Sequence, residues 1–153
     1  MSHPQRQDQQ QPELQAVEGS FDEKDIYREE CVASGSWFYW LSGLSLVNSI
    51  LPLVGFNFYF VFGLGITAVF DALAPGLGPY QFLAYIPTLM VLGIFVGLGF
   101  AATRGHMWAF ILGMVLYALD AATLILFQDW FSMAVHGYVL FELGKGLLAS
   151  RNL

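Results

Sequence analysis

From Trp37 onward the chain reads as five long apolar blocks separated by short polar or turn-forming breaks. They run roughly Trp37–Val54, Asn57–Ala74, Gln81–Ala102, Met107–Phe127 and Trp130–Ala149, behind a polar arm of about 36 residues. A bilayer core of about 30 Å takes around 20 apolar residues of helix, with about 17 to 25 tolerated. Each block fits that window. The pattern predicts an all-α integral membrane protein, a bundle of five transmembrane helices over residues 36–153 with a largely disordered N-terminal arm over 1–35.

The breaks differ in strength. Pro75-Gly76-Leu77-Gly78-Pro79, Thr103-Arg104-Gly105-His106 and Gln128-Asp129 interrupt the pattern plainly. The first break, at Pro52, Gly55 and Asn57, is weaker. A single helix over 37–74 would be about 57 Å long at 1.5 Å per residue, too long for one crossing. Two crossings are the simpler solution. A re-entrant second segment is the alternative, because each half holds only about 18 residues. Aromatic residues mark the span ends independently of hydropathy, since amphipathic rings prefer the headgroup level. They cluster at Trp37–Trp40, Phe56–Phe60, Tyr80 and Phe82, Trp108, and Trp130-Phe131.

Composition agrees with the pattern. Hydrophobic residues make up 56% of the chain and charged residues 12%, with mean hydropathy +0.57. A soluble domain usually carries about 25% charge, so an ordinary water-soluble core is excluded. The arm carries −5 of the formal −6 charge. Its acidity argues against nucleic-acid binding, which needs a basic face. It also argues against an amphipathic anchor on anionic lipid, which needs Lys and Arg. Residues 1–20, with Gln9-Gln10-Gln11, Pro4 and Pro12, have the composition of disorder. Phe21, Ile26, Tyr27 and Val32 give 21–35 a thin apolar face, enough for a short surface helix. No charged-then-apolar leader opens the chain, so the first span is expected to act as an uncleaved insertion signal.

Lys and Arg set orientation. With five spans, Arg104, Lys145 and Arg151 lie on one side and Lys24 and Arg28 on the other, which favours a cytoplasmic C-terminus by a narrow margin. With a re-entrant second segment all of these bases share one side, and the arm moves to the cytoplasm.

The single cysteine, Cys31, excludes an intrachain disulfide and a multi-cysteine metal site. It reads as a free thiol, with acylation near the membrane as the alternative. The spacing of Gly93, Gly97 and Ala101 forms a small-residue ridge suited to close helix packing, within the chain or against a partner.

Ionisable groups in hydrocarbon cost at least about 2.5–3.5 kcal/mol each and so face the bundle interior and seek partners. Asp71, Asp120 and His136 form the candidate buried polar cluster, an ion or proton site. Asp120 lies about eight residues before the Gln128-Asp129 turn and His136 about seven after it, so helical rise gives both the same depth. Span parity puts Asp71 on the side of that turn. A hydrogen-bonded packing pair, a proton relay and a metal site are the three readings, although no local spacing supports a metal. Asn48, with Ser45 and Ser49, suits interhelical hydrogen bonding. Glu142 and Lys145, three residues apart, are expected to pair near the membrane end. His106 is expected to be solvated. No G-x-S-x-G, Walker A, H-E-x-x-H or G-x-G-x-x-G motif is present, and Gly63-Leu64-Gly65 reads as part of an apolar helix. Neither a cofactor nor a catalytic activity is expected.

The strings Trp40-Leu41-Ser42-Gly43-Leu44-Ser45-Leu46-Val47-Asn48-Ser49, Phe62-Gly63-Leu64-Gly65-Ile66-Thr67 with the later Asp71, and Trp108-Ala109-Phe110 through Gly113–Asp120 resemble a group of small, uncharacterised bacterial polytopic membrane proteins. The similarity covers most of residues 36–149. It implies a bacterial inner membrane and carries no activity across. The chain is thus expected to be a structural or accessory membrane component, with a small proton- or ion-coupled transport component as the alternative. Lipid is the expected partner, and a homo-oligomer or a second membrane protein stays open.

Overall fold

The computed structural model describes residues 23–56 and 63–153, apart from the side chains of 125–127. All regular structure among these residues is helical. The elements are α1 (23–35), α2 (Trp37–Ile50), a 3-10 turn (Leu51–Val54), α3 (Gly65–Leu73), an irregular 3-10 stretch (Ala74–Ala84), α4 (Tyr85–Ala102), α5 (Met107–Phe127) and α6 (Trp130–Ser150). Three helical stretches, Glu23–Val54, Gly65–Ala102 and Met107–Leu124, are long and apolar enough to cross a membrane.

The described part of the arm is ordered helix from residue 23, so the helical body starts well before residue 36. Small side chains account for this. The Cys31 Sγ–H meets the Gly146 carbonyl at 3.6 Å. A Cβ on Gly35 would lie 2.8 Å from the Thr103 backbone nitrogen, so only glycine allows α1 to seat on the end of α4. Cys31 is fully buried, which removes it from an acylating enzyme. Residues 1–22, including the expected disordered stretch, lie outside the described residues.

α2 buries its polar face. Ser42, Ser45 and Ser49 are buried with Phe38 and Leu41, while Trp40, Leu46, Val47 and Ile50 are exposed. That inversion suits a helix whose outer solvent is lipid and whose hydroxyls must bond inside. Pro52 and then Gly55, at φ 85°, end it. α4 packs antiparallel to α2: Phe38 and Tyr39 lie against Gly99, the Ser42 hydroxyl reaches the Leu92 carbonyl at 3.4 Å, and Ser49 and Thr88 meet at Asp71. The Phe38 ring sits edge-on to Phe95 at 6.0 Å and occupies the space that a Cβ on Gly113 would need.

Only part of the second apolar block is described, since residues 57–62 lie outside the described residues. Its described helix, α3, has nine residues, about 13.5 Å at 1.5 Å per residue and under half of a hydrocarbon core. Gly63-Leu64-Gly65 is not interior to a helix; Leu64 is extended, with φ −79° and ψ 127°, and α3 begins after it. Leu64 meets Ser45 while Asp71 meets Ser49, so α3 runs in the same direction as α2.

The small-residue ridge does not pack within the chain at its two glycines. A Cβ on Gly93 or Gly97 would meet nothing within 4 Å, and both glycines are exposed. Ala101 alone of the three is buried, and close packing falls to Gly99 instead.

Candidate functional site

A helix leaves its first N–H groups without intrahelical partners, and in hydrocarbon those donors must be satisfied by protein. Leu64, the residue before α3, has no side chain able to cap it. Other helices supply the acceptors. The Leu64 N–H donates to Ser45 Oγ at 2.6 Å. The Gly65 N–H donates to Asp120 Oδ2 at 2.8 Å and the Ile66 N–H to Asp120 Oδ1 at 2.7 Å. A carboxylate on α5 thus caps α3 from across the bundle, at the end where the helix dipole favours negative charge. Gly65 permits the approach, since a Cβ there would lie 2.9 Å from Thr123 Oγ1 and 3.1 Å from Leu124 Cδ2.

His136 completes the shell. Its Nε2 lies 3.0 Å from Asp120 Oδ2, and its Nδ1 lies 2.9 Å from the Ser132 carbonyl. A carbonyl only accepts, so Nδ1 carries a proton, and one further proton lies between Nε2 and the carboxylate. Asp120 is 5% and His136 1% exposed. The Tyr117 ring stacks on the imidazole, with centroids 4.3 Å apart and planes within 11°. Its buried hydroxyl has no hydrogen-bond partner among the described residues.

The sequence-level cluster is therefore two sites. Asp120 and His136 pair as their shared depth predicts. Asp71 does not join them: its carboxylate accepts from the Ser49 hydroxyl at 2.6 Å and the Thr88 hydroxyl at 3.4 Å. It sits near the far end of α3 from Gly65, six residues or about 9 Å along the axis. Asn48 lies by Gly63, whose Cβ position would be 2.5 Å from the Asn48 amide nitrogen. Glu142 and Lys145 pair at 2.6 Å as expected, and Lys145 also faces Glu30 at 3.8 Å. His106 is exposed in its turn.

Several partners were not singled out from sequence. Tyr117 as a stacking ring and Thr88 as an Asp71 ligand carry no local signal. The backbone N–H groups of Leu64, Gly65 and Ile66 did carry one, in the paired glycines around Leu64, which mark a break rather than a helix interior.

The chemistry available here is limited. The Ser132 hydroxyl is committed to Asp129 at 2.5 Å, and only the Ser132 carbonyl meets His136, so among the described residues no serine hydroxyl is hydrogen-bonded to the imidazole. Among the described residues no group of three His, Cys, Asp or Glu side chains could hold a metal ion. A cavity of about 330 Å³, lined by Ile66, Val91, Ile94, Phe95, Leu116 and Leu119, lies beside Asp120 and Thr123, and its walls are almost wholly apolar. The chain matches no family model, no curated protein and no solved structure.

Proposed function

We propose that this protein is an integral membrane component with an architectural role, built from four crossings and one re-entrant half-helix. α2, α4, α5 and α6 make the crossings, and α3 enters and leaves on one side. One observation carries the reading: the carboxylate of Asp120 and both imidazole nitrogens of His136 are engaged by the chain itself, holding the start of α3 against α5. Two nearly buried ionisable groups spent on docking a half-helix describe a scaffold.

Orientation follows from the same topology. Lys24, Arg28, Arg104, Lys145 and Arg151 then lie at one end and no Lys or Arg of the described residues at the other. The positive-inside rule makes the basic end cytoplasmic, with both described chain ends on that side. The resemblance over residues 36–149 supports a bacterial cytoplasmic membrane.

Proton handling is a second reading, favoured by the proton between His136 and Asp120 and by the Tyr117 hydroxyl beside them. Reconstituted vesicles separate the two. The architectural reading expects Asp120→Asn and His136→Gln to lower stability and the parent protein to carry no pH-driven flux above protein-free vesicles. Normal stability in both variants, with loss of a flux that the parent shows, would overturn it in favour of proton handling.

A further inference from the structure

Asp71 lies in the wall of a second cavity, of about 320 Å³, formed where the ends of α2, α3 and α4 converge. Ser49, Pro52, Ala74, Gln81 and Tyr85 share that wall. The volume is at the lower end for small-ligand pockets, about 300–1,000 Å³. The carboxylate is half-buried, and among the described residues no Lys, Arg or His lies within 4.0 Å of it. Unlike Asp120, it has no imidazole or helix start to meet its charge.

The surroundings are those of a cation site. Ser49 and Thr88 direct their protons at Asp71, which leaves their oxygens as acceptors. An ionised carboxylate offers about four acceptor positions, so two hydroxyl donors leave capacity for a ligand. Tyr85 also lines the wall, and aromatic side chains attract cations. One carboxylate is too little for a calcium ion, which takes about six to eight oxygen ligands. An ammonium group, with three donors and one charge, matches what is present.

We infer that this cavity binds a primary ammonium group, presented by the headgroup of an aminophospholipid. The lipid source follows from position. The cavity lies at the end of the helices, and Leu53 in its wall is 58% exposed, an apolar flank for an acyl chain. The membrane-face placement rests on the topology proposed above; the ammonium chemistry does not.

The test uses the full chain. Protein in nanodiscs of equal phosphatidylethanolamine and phosphatidylcholine is released and its retained lipid counted by native mass spectrometry. Phosphatidylethanolamine should be retained over phosphatidylcholine by about tenfold, the scale of one charge-assisted hydrogen bond. Asp71→Asn should bring the ratio close to one. Ala72→Phe, which fills the cavity and leaves the carboxylate in place, should do the same, so a folding defect in the first variant does not decide the matter. Asp129→Asn, an acid removed at the same end outside the cavity, should leave the ratio unchanged. Equal retention by the parent protein, or a ratio unchanged in both cavity variants, overturns the site. Ethanolamine titrated in detergent, read by thermal shift, tests the ammonium chemistry even if the topology fails. Protection by free ethanolamine equal to that by the lipid overturns the lipid source, and protection by choline equal to that by ethanolamine overturns recognition of a primary ammonium.

Discussion

Replacing Asp120 with Asn tests the capping arrangement with almost no change of shape. The carboxylate accepts N–H groups at 2.8 and 2.7 Å and faces an imidazole nitrogen at 3.0 Å. Asparagine keeps one oxygen and turns an NH2 group toward at least one of those donors. A hydrogen bond to a charged group is worth about 1.5–3 kcal/mol. Leaving buried N–H donors without an acceptor costs a further amount of about 1–3 kcal/mol for each. Asp120 is only 5% exposed, so solvent screening discounts little. The expected loss is about 3–5 kcal/mol, below the sum of the separate contributions because they share one side chain. His136→Gln should cost less, about 2 kcal/mol, since Asp120 keeps both backbone donors. The two changes should be coupled by about 0.5–3 kcal/mol in a double-mutant cycle. Reversible unfolding in mixed micelles measures the energies, and hydrogen exchange at the Gly65 and Ile66 amides reports the capping directly. A loss under about 1 kcal/mol with unchanged protection of those amides, or strict additivity with His136→Gln, would refute the reasoning.

Three further outcomes follow from the geometry. Gly65→Ala should cost about 1–3 kcal/mol through contact with Thr123 and Leu124, and Thr123→Ala should recover part of it; the midpoint of thermal unfolding checks both. Gly97→Ala, with nothing within 4 Å of the new methyl, should be neutral or stabilising by up to about 1 kcal/mol in the same assay. Asp129 caps α6, and hydrogen bonds from the Ser132 hydroxyl and then from its N–H hold the carboxyl below its ordinary value of 3.8. A lowered folded-state value means that Asp129 contributes stability above that ordinary value and loses it as pH falls through the lowered one. Asp129→Ala should therefore cost about 1 kcal/mol at neutral pH, and the gap from the parent protein should close at acid pH, as chemical unfolding across pH would show.

Much of the body is legible in the pattern of apolar blocks. The bounds of α5 match the block, and those of α6 match within one residue, because a 21-residue apolar run between turn signals has one economical solution in a bilayer. The Asp120–His136 pair is legible for the same reason: a hairpin fixes depth by counting from its turn. The docking of α3 is not legible. Its hydropathy is that of an apolar span, and the acceptors that meet its first N–H groups, Ser45 and Asp120, are distant in sequence. Gly93 and Gly97 show the converse, since the spacing of small residues does not tell whether their face meets this chain or lies exposed. α1 is hard to read because its buried face consists of Cys31, Ser34 and Gly35, which barely register as apolar.

The proposed topology of four crossings and one re-entrant half-helix puts both described chain ends on one face. Cysteine labelling in intact cells tests it most directly, with Cys31→Ala as background and single cysteines at Gln10, Leu77 and Asn152. Gln10 and Asn152 should be shielded from a membrane-impermeant thiol reagent until the cytoplasmic face is opened, and Leu77, 44% exposed in the Ala74–Ala84 stretch, should react from outside. Reaction of Gln10 and Asn152 from opposite faces would contradict the account.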